Sequence, residues 1–231
     1  MEHEVSTLYI WLYPWFDRTF GTGFITDQAV MAWFLVLLSL AIFPLFSRRF
    51  SLYEPGAAQQ MLEFGVGSIN TMCDAFIGEH GRKYVKVLGP MAFFILTANL
   101  LAFFPGFQPP TADLNTTAAL GFTAFLIYNF VGIRAQGFGY LKQFTGDIPA
   151  MIPMMFPIEI LSHLSRPTSL AIRLFGNIFA EHTIAGVFFF LIPIGLPVVF
   201  GPLGVFVSFM QTFVFIMLSM IYIAGALEQG H

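Results

Sequence analysis

The sequence predicts an all-α polytopic membrane protein. Five membrane segments are expected, the last two forming a long, strongly tilted helical hairpin, together with one amphipathic surface helix. Composition is the first observation behind this. Hydrophobic residues make up 57% of the 231 residues and charged ones only 10%, where a soluble domain carries about 25% charged residues. The second is the spacing of charge, which leaves uncharged runs of membrane-crossing length. The third is one long helical stretch near the C-terminus that carries charge where a spanning segment should carry none. A mean hydropathy of +0.76 excludes a water-soluble enzyme and an intrinsically disordered chain, which needs low hydrophobicity. A net charge of −3 gives no reason to expect a nucleic-acid partner. A single cysteine, Cys73, excludes a disulfide framework and a multi-cysteine metal site.

The chain reads as a single integral membrane domain, 1–231. Residues 1–27 hold Glu2, Glu4, Asp17 and Asp27 and lack a basic stretch before an apolar core, so they form an outer N-terminal segment, not a cleaved signal peptide. Twenty residues without formal charge, 28–47, give the first span, matching the roughly 20 residues a helix needs to cross the hydrocarbon core. Residues 54–80 differ. Leu62, Val66, Ile69, Cys73, Phe76 and Ile77 recur at helical spacing, while Gln59, Glu63, Asn70 and Asp74 fall elsewhere, the pattern of a helix lying on the membrane surface. A second span is expected at 87–105, closed by the turn PGFQPPT, and a third at 114–133.

Residues 157–192 read as one long helix that contains Glu159, His163, Arg166, Arg173, Glu181 and His182. From Thr183 to Leu227 there are then 45 residues without formal charge. As one helix these would reach roughly 67 Å, over twice the hydrocarbon thickness, so the chain must turn, and Pro193, Gly195, Pro197, Gly201 and Pro202 mark where. The last helix is expected at 198–227. A helix as long as 157–192 fits only by strong tilt.

Basic residues set orientation. Arg48, Arg49, Arg82, Lys83, Lys86, Arg134 and Lys142 follow spans one and three, whereas the other side holds only Arg18. The N-terminus is therefore expected outside and the C-terminus in the cytoplasm. With no transit-like segment, the expected location is a bacterial inner membrane.

Arginine keeps its proton in proteins, so Arg166 and Arg173 are permanent charges within a membrane segment, and such groups face a cavity or a counter-charge and by default mark an ion pathway. At about 100° per residue, Glu159, Arg166 and Arg173 share one stripe, with Ser162, Ser169 and Asn177 close to it. His182 falls about 180° from Arg173, while His163 and Glu181, five turns apart, align on a third face. Glu159 lies towards the inner surface and His182 towards the outer, with Arg173 between, as two offset aqueous half-channels would need. A plainer alternative is that Arg166 snorkels or pairs with Glu159, with the polar residues joining helices. Arg173 has no carboxylate of its own chain one or two turns away on its face. Small residues along the stripe (Ser162, Ser169, Gly176, Ala180) suit close approach by a sliding partner or by a static helix.

The run SRPTSLAIRLFGN at 165–177, followed by AEH at 180–182, closely resembles the signature of subunit a of the F-type ATP synthase. PTADLN at 110–115, Glu159 fourteen residues before Arg173, and QTFVFIMLSMIYIAGALE at 211–228 are similar to the same family, and the resemblance spans about 28–228. It implies a non-catalytic, cofactor-free proton-translocating channel subunit of the Fo sector. This subunit would be pressed against a rotating ring of c subunits, with the b-subunit peripheral stalk, the rest of the ATP synthase and membrane lipid as partners. In this resemblance Arg173 takes the place of the family's essential arginine, which prevents a short circuit and couples proton flow to rotation. Asn177 and Gln211 match polar partners near it. Glu159 matches a carboxylate linked to the inner half-channel, His182 an ionisable position in the outer one, and Asp113 and Asn115 polar residues near the outer mouth. One departure stands out: many members carry a second ionisable group seven residues before the glutamine, and here that position is Gly204. The pairing with His182 is missing, and Glu181 is the candidate to compensate.

Each of these residues also has a plainer reading. His182 could be hydrogen-bonded within the bundle, Gln211 could join helices, and Asp113 could cap the helix opening at Leu114, with Asn115 equally ambiguous. Two rival functions are weaker. A self-contained secondary transporter would usually show an internal repeat with broken helices in both halves, and 28–133 does not echo 157–227. A membrane enzyme would need a site, yet the sequence holds no H-E-x-x-H, phosphate loop or G-x-S-x-G.

Overall fold

The computed structural model describes residues 27–47, 50–51, 55–78, 81–103, 109–137, 140, 152–191 and 196–228. Among the described residues six α-helices follow one another: α1 (Asp27–Ser47), α2 (Ala57–Ile77), α3 (Val85–Leu100), α4 (Leu114–Gln136), α5 (Ile152–Leu191) and α6 (Leu196–Glu228). Short 3-10 turns lie at Gly81–Tyr84, Leu101–Phe103 and Pro110–Ala112. The N-terminal segment with Arg18, the pair Arg48 and Arg49, the loop with Lys142, and Pro193 with Gly195 lie outside the described residues.

Among the described residues, three helical stretches are long and apolar enough to cross a membrane: Gly81–Phe103, Leu114–Gln136 and Gly201–Leu227, with a shorter apolar stretch at Ala29–Ala41. The protein is a multi-pass helical membrane protein. The helical stretch that holds the expected second span, 87–105, opens at Gly81, where a 3-10 turn runs into α3 without a break. Helix α5 is the exception. It is 40 residues long, about 60 Å at 1.5 Å per residue, and it carries the four formal charges Glu159, Arg166, Arg173 and Glu181.

The expected boundaries of α5 and α6 shift by a few residues. Helix α5 opens at Ile152, five residues before Pro157, because Pro153 stands in the first turn, where a missing N–H breaks no helical bond. Both Pro157 and Pro167 lie inside the helix. Beside Pro167 the hydroxyls of Ser165 and Thr168 donate to the carbonyls of Ser162 and Leu164 at 2.7 and 2.8 Å. Helix α6 opens at Leu196, so Pro197, Gly201 and Pro202 sit within it and do not mark the turn. Pro197 occupies the first turn, as Pro153 does.

Inward stripes at helical spacing bring α3, α4, α5 and α6 together. Leu88, Met91 and Ile95 face inward from α3, and Thr117, Gly121, Ala124, Tyr128 and Val131 from α4. Leu170, Leu174 and Ile178 face inward from α5, and Phe215, Ile216, Met220 and Ile223 from α6. Lipid tails are as apolar as leucine, so close packing and small residues hold membrane helices together. Gly121 marks such a contact: a Cβ there would stand 2.7 Å from the Pro167 carbonyl oxygen. At the opposite end of α4, Gln136 donates to the Ala226 carbonyl of α6 at 2.8 Å.

Helix α2 packs on α3, α6 and the turn at Gly81. Its apolar residues divide between two faces. Ile69, Met72, Cys73 and Ile77 turn to the core, while Met61 and Phe64 stand 77% and 78% exposed, with Val66 and Phe76 on the open side. The single expected face is thus a core-facing edge and an outward apolar edge. Asp74 anchors the C-terminal end by a two-pronged pair with Arg82, Nε and Nη2 both donating to Oδ2 at 3.0 and 2.8 Å.

Candidate functional site

Helix α5 lies against α4 and α6, and its polar residues separate by which neighbour they meet. At its N-terminal half, His163 is buried, with Nδ1 3.2 Å from the Tyr128 hydroxyl of α4. Glu159, one turn earlier, stands 3.9 Å from His163 Nε2 through Oε1. Arg166 does not pair with Glu159. Its guanidinium lies between two rings, 5.9 Å from the centroid of Tyr128 on α4 and 5.4 Å from that of Tyr222 on α6, a distance at which the ring face attracts a cation. Tyr140 completes the cluster, donating its hydroxyl to Asn129 Oδ1 at 2.8 Å and meeting the His163 ring edge-on.

Arg173 stands two turns further along α5, half-buried. Among the described residues no carboxylate comes within 4.0 Å of it. One turn on, the side chain of Asn177 donates to Oε1 of Gln211 on α6. The Gln211 side chain is otherwise buried, and its Nε2 has no hydrogen-bond partner. Residues four apart on a helix are neighbours, so Arg173 and Asn177 share a face and Gln211 meets that face from the opposing helix. Gly176 beside Asn177 has nothing within 4 Å of where a Cβ would stand, so the small-residue stripe faces open space at this level.

Glu181 lies one turn beyond Asn177, half-buried, with Oε2 enclosed and unpartnered. Its Oε1 occupies the position a side chain would take at Gly204 of α6, and the Phe103 ring at the end of α3 closes the same notch, 2.7 Å from that point. Glu181 thus fills the volume left by the missing side chain. His182 is within α5 on the same turn, and its side chain lies outside the described residues.

The remaining pair sits where α4 begins. Asp113 holds the N-cap position, but its side chain makes no capping bond. Its carbonyl accepts the Thr117 N–H at 3.1 Å, and its Oδ1 accepts from Asn115 Nδ2 at 3.3 Å. Below it, Thr111 donates to Oδ1 of the fully buried Asn99 at 2.9 Å, leaving the Asn99 Nδ2 unpartnered. Asn99, Tyr128 and Tyr222 were not singled out from sequence. The available signal was a lone carboxamide or phenol in an otherwise apolar span, whose polar end needs a partner from another helix. Among the described residues, no three of His, Cys, Asp and Glu converge on a point that could hold a metal ion.

A bundle of apolar helices with one long charged helix, whose Arg173 has no carboxylate within 4.0 Å among the described residues, defines a multi-pass membrane protein that carries fixed charge on a helix of the bundle. Comparison with known families specifies which. The family described as "ATP synthase A chain" matches residues 29–224. "ATP synthase subunit a 1" of Syntrophotalea carbinolica is 44% identical over 200 residues, 87% of this chain and 85% of that one. "ATP synthase subunit a 3" of Pelobacter propionicus is 43% identical over 205 residues, 89% of each chain. "ATP synthase subunit a" of Geobacter sulfurreducens is 42% identical over the same length and coverage. The chain belongs to the ATP synthase subunit a family.

Proposed function

We propose that this chain forms the stator side of the Fo proton path and carries protons by two offset half-channels to and from a carboxylate on a rotating ring of c subunits. In this reading α5 and α6 form the tilted hairpin against the ring, and α1, α3 and α4 complete five crossings. Helix α2 lies along the inner surface. The N-terminus is outside an inner membrane, the C-terminus is in the cytoplasm, and the b-subunit stalk holds the assembly still.

The observation that carries the reading is Arg173, a permanent charge without a carboxylate partner among the described residues. A positive charge left uncompensated at membrane depth is costly and calls for an anion from outside the chain. The surfaces beside it suit an approaching apolar helix: Ile172 and Phe179 on α5, and Phe206, Phe209, Met210 and Phe213 on α6, are all exposed, and Gly176 leaves open space. A proton crossing the membrane releases about 2.3 kcal/mol per 100 mV, work that a continuous pore would dissipate. Arg173 prevents this by repelling a proton that passes straight between the half-channels, while it stabilises the deprotonated ring carboxylate beside the inner one. A carboxylate turning out into lipid must first be neutral, so protonation from the outer half-channel permits rotation in one direction. Glu159 serves the inner path. Glu181, His182, Asp113 and Asn115 serve the outer one, and Asn177 with Gln211 holds the two helices in register beside the arginine.

The test is Arg173→Ala in membrane vesicles carrying the assembled complex, with ATP-driven acidification and passive proton leak recorded together. Pumping is expected to vanish while assembly persists. Pumping near the unmutated rate would make Arg173 structural and end the half-channel reading.

A further inference from the structure

One feature of the fold has no part in the proton path. At the end of the bundle where α3 begins and α4 and α6 end, a groove of about 890 Å³ opens between these helices. Tyr84, Val87, Leu126 and Phe130 are among its apolar walls, and Lys83 and Arg134 are its two cations. Arg82, next in sequence to Lys83, is taken by Asp74. Neither Lys83 nor Arg134 has a carboxylate within 4.0 Å among the described residues. The Lys83 ammonium is held over the Tyr84 ring at 4.9 Å, and Arg134 stands in the last turn of α4.

Three helix ends meet here, so the cations stand at a membrane boundary while the apolar walls run inward. Along α4, Phe130, Leu126 and Phe122 form an exposed ridge leading away from Arg134. Twelve residues of helix, from Arg134 to Phe122, cover about 18 Å, comparable with the half-thickness of about 15 Å that a lipid tail occupies. Paired cations at the boundary with an apolar path of acyl length match an anion that carries hydrocarbon. Basic pockets between membrane helices take such headgroups. A partner helix would fit the ridge but leave both cations uncompensated. We propose that this groove binds an anionic diacyl phospholipid, its phosphate on Lys83 and Arg134 and an acyl chain along Val87, Leu126 and Phe130.

The test is photocrosslinking of the assembled complex with a phosphatidylglycerol that bears a diazirine in its acyl chain, the adducts being mapped by peptide mass spectrometry. Adducts are expected on 84–87 and 126–131, competed by unlabelled phosphatidylglycerol and not by phosphatidylcholine. Lys83→Gln with Arg134→Gln should reduce them about tenfold or more. Arg82→Gln with Lys86→Gln, which removes the same charge outside the groove, should leave them near the unmutated level. Equal loss from both pairs would show diffuse surface attraction, and equal competition by phosphatidylcholine would show no headgroup selection. Absence of adducts at these segments would mean that another subunit fills the groove. Each of these three results overturns the proposal, and the competition on the unmutated complex decides it if the first variant fails to assemble.

Discussion

Glu181 and Gly204 act as one feature divided between two helices. The carboxylate of α5 fills the volume that a side chain on α6 would need, so adding even a methyl group forces it out. Gly204→Ala is expected to lower ATP-driven proton pumping several-fold without loss of assembly. Glu181→Asp in the same chain, which draws the carboxylate back by one carbon, should restore part of it, as read by vesicle acidification. A second prediction concerns Cys73, which is buried where α2 meets the turn at Gly81. Burial first, and the neighbouring charge of Asp74 second, push its thiol above the usual range. The thiolate is the nucleophile, so a raised pKa leaves less of it at any given pH. Alkylation by a membrane-permeant maleimide should therefore be slower at pH 8 than for an ordinary thiol of pKa about 8.5, and should accelerate as pH rises beyond that. Cysteine loss followed by mass spectrometry checks it.

At the scale of the helix, α5 runs on across two internal prolines, Pro157 and Pro167, packed against α4 and α6, as neighbouring helices allow in a membrane protein. The close approach at Gly121 is part of that packing. Gly121→Val drives a branched side chain into the Pro167 carbonyl, and overpacking of this kind typically costs about 1–3 kcal/mol. The variant is expected to lower the temperature at which the solubilised complex loses this subunit, measured by native gel after heating, whereas Gly67→Ala on α2, with open space around it, should not lower that temperature. Helix α2 illustrates where periodicity in the sequence misleads. Six apolar positions at helical spacing read as one face, but α6 and α3 take only Ile69, Cys73 and Ile77, leaving Val66 and Phe76 outside. A stripe wider than one neighbour is shared between two environments, and which residues go where depends on helices distant in sequence.

For the whole molecule, the proposed orientation rests on where the basic residues lie. Lys83 and Arg134 stand at the same end of the bundle, at opposite ends of antiparallel α3 and α4. In a Cys73→Ser background, a cysteine placed at Gln229 is expected to react with an impermeant maleimide from the cytoplasmic side only, and one at Ser6 from the outer side only. Labelling of right-side-out and inverted vesicles checks this: the reverse pattern would overturn the orientation, and reaction of both positions from one side would overturn the five crossings.

The sequence by itself determined the class, the charged helix and the family, because each is written in local chemistry. Uncharged runs of membrane length need no partner to be recognised, and an arginine with asparagine one turn later, in RLFGN, shares a helical face whatever surrounds it. Asp113 could be placed at the start of α4 in the same way. Contacts between helices were not legible. Nothing in the positions of Arg166, Tyr128 and Tyr222 says that the guanidinium sits between two rings rather than beside Glu159. The filling of the Gly204 notch by Glu181, the meeting of Asn177 with Gln211, and the groove at Lys83 and Arg134 are of the same kind. Only the tertiary structure decided these, because polar groups in an apolar medium take whichever partner the packing of distant segments brings within reach.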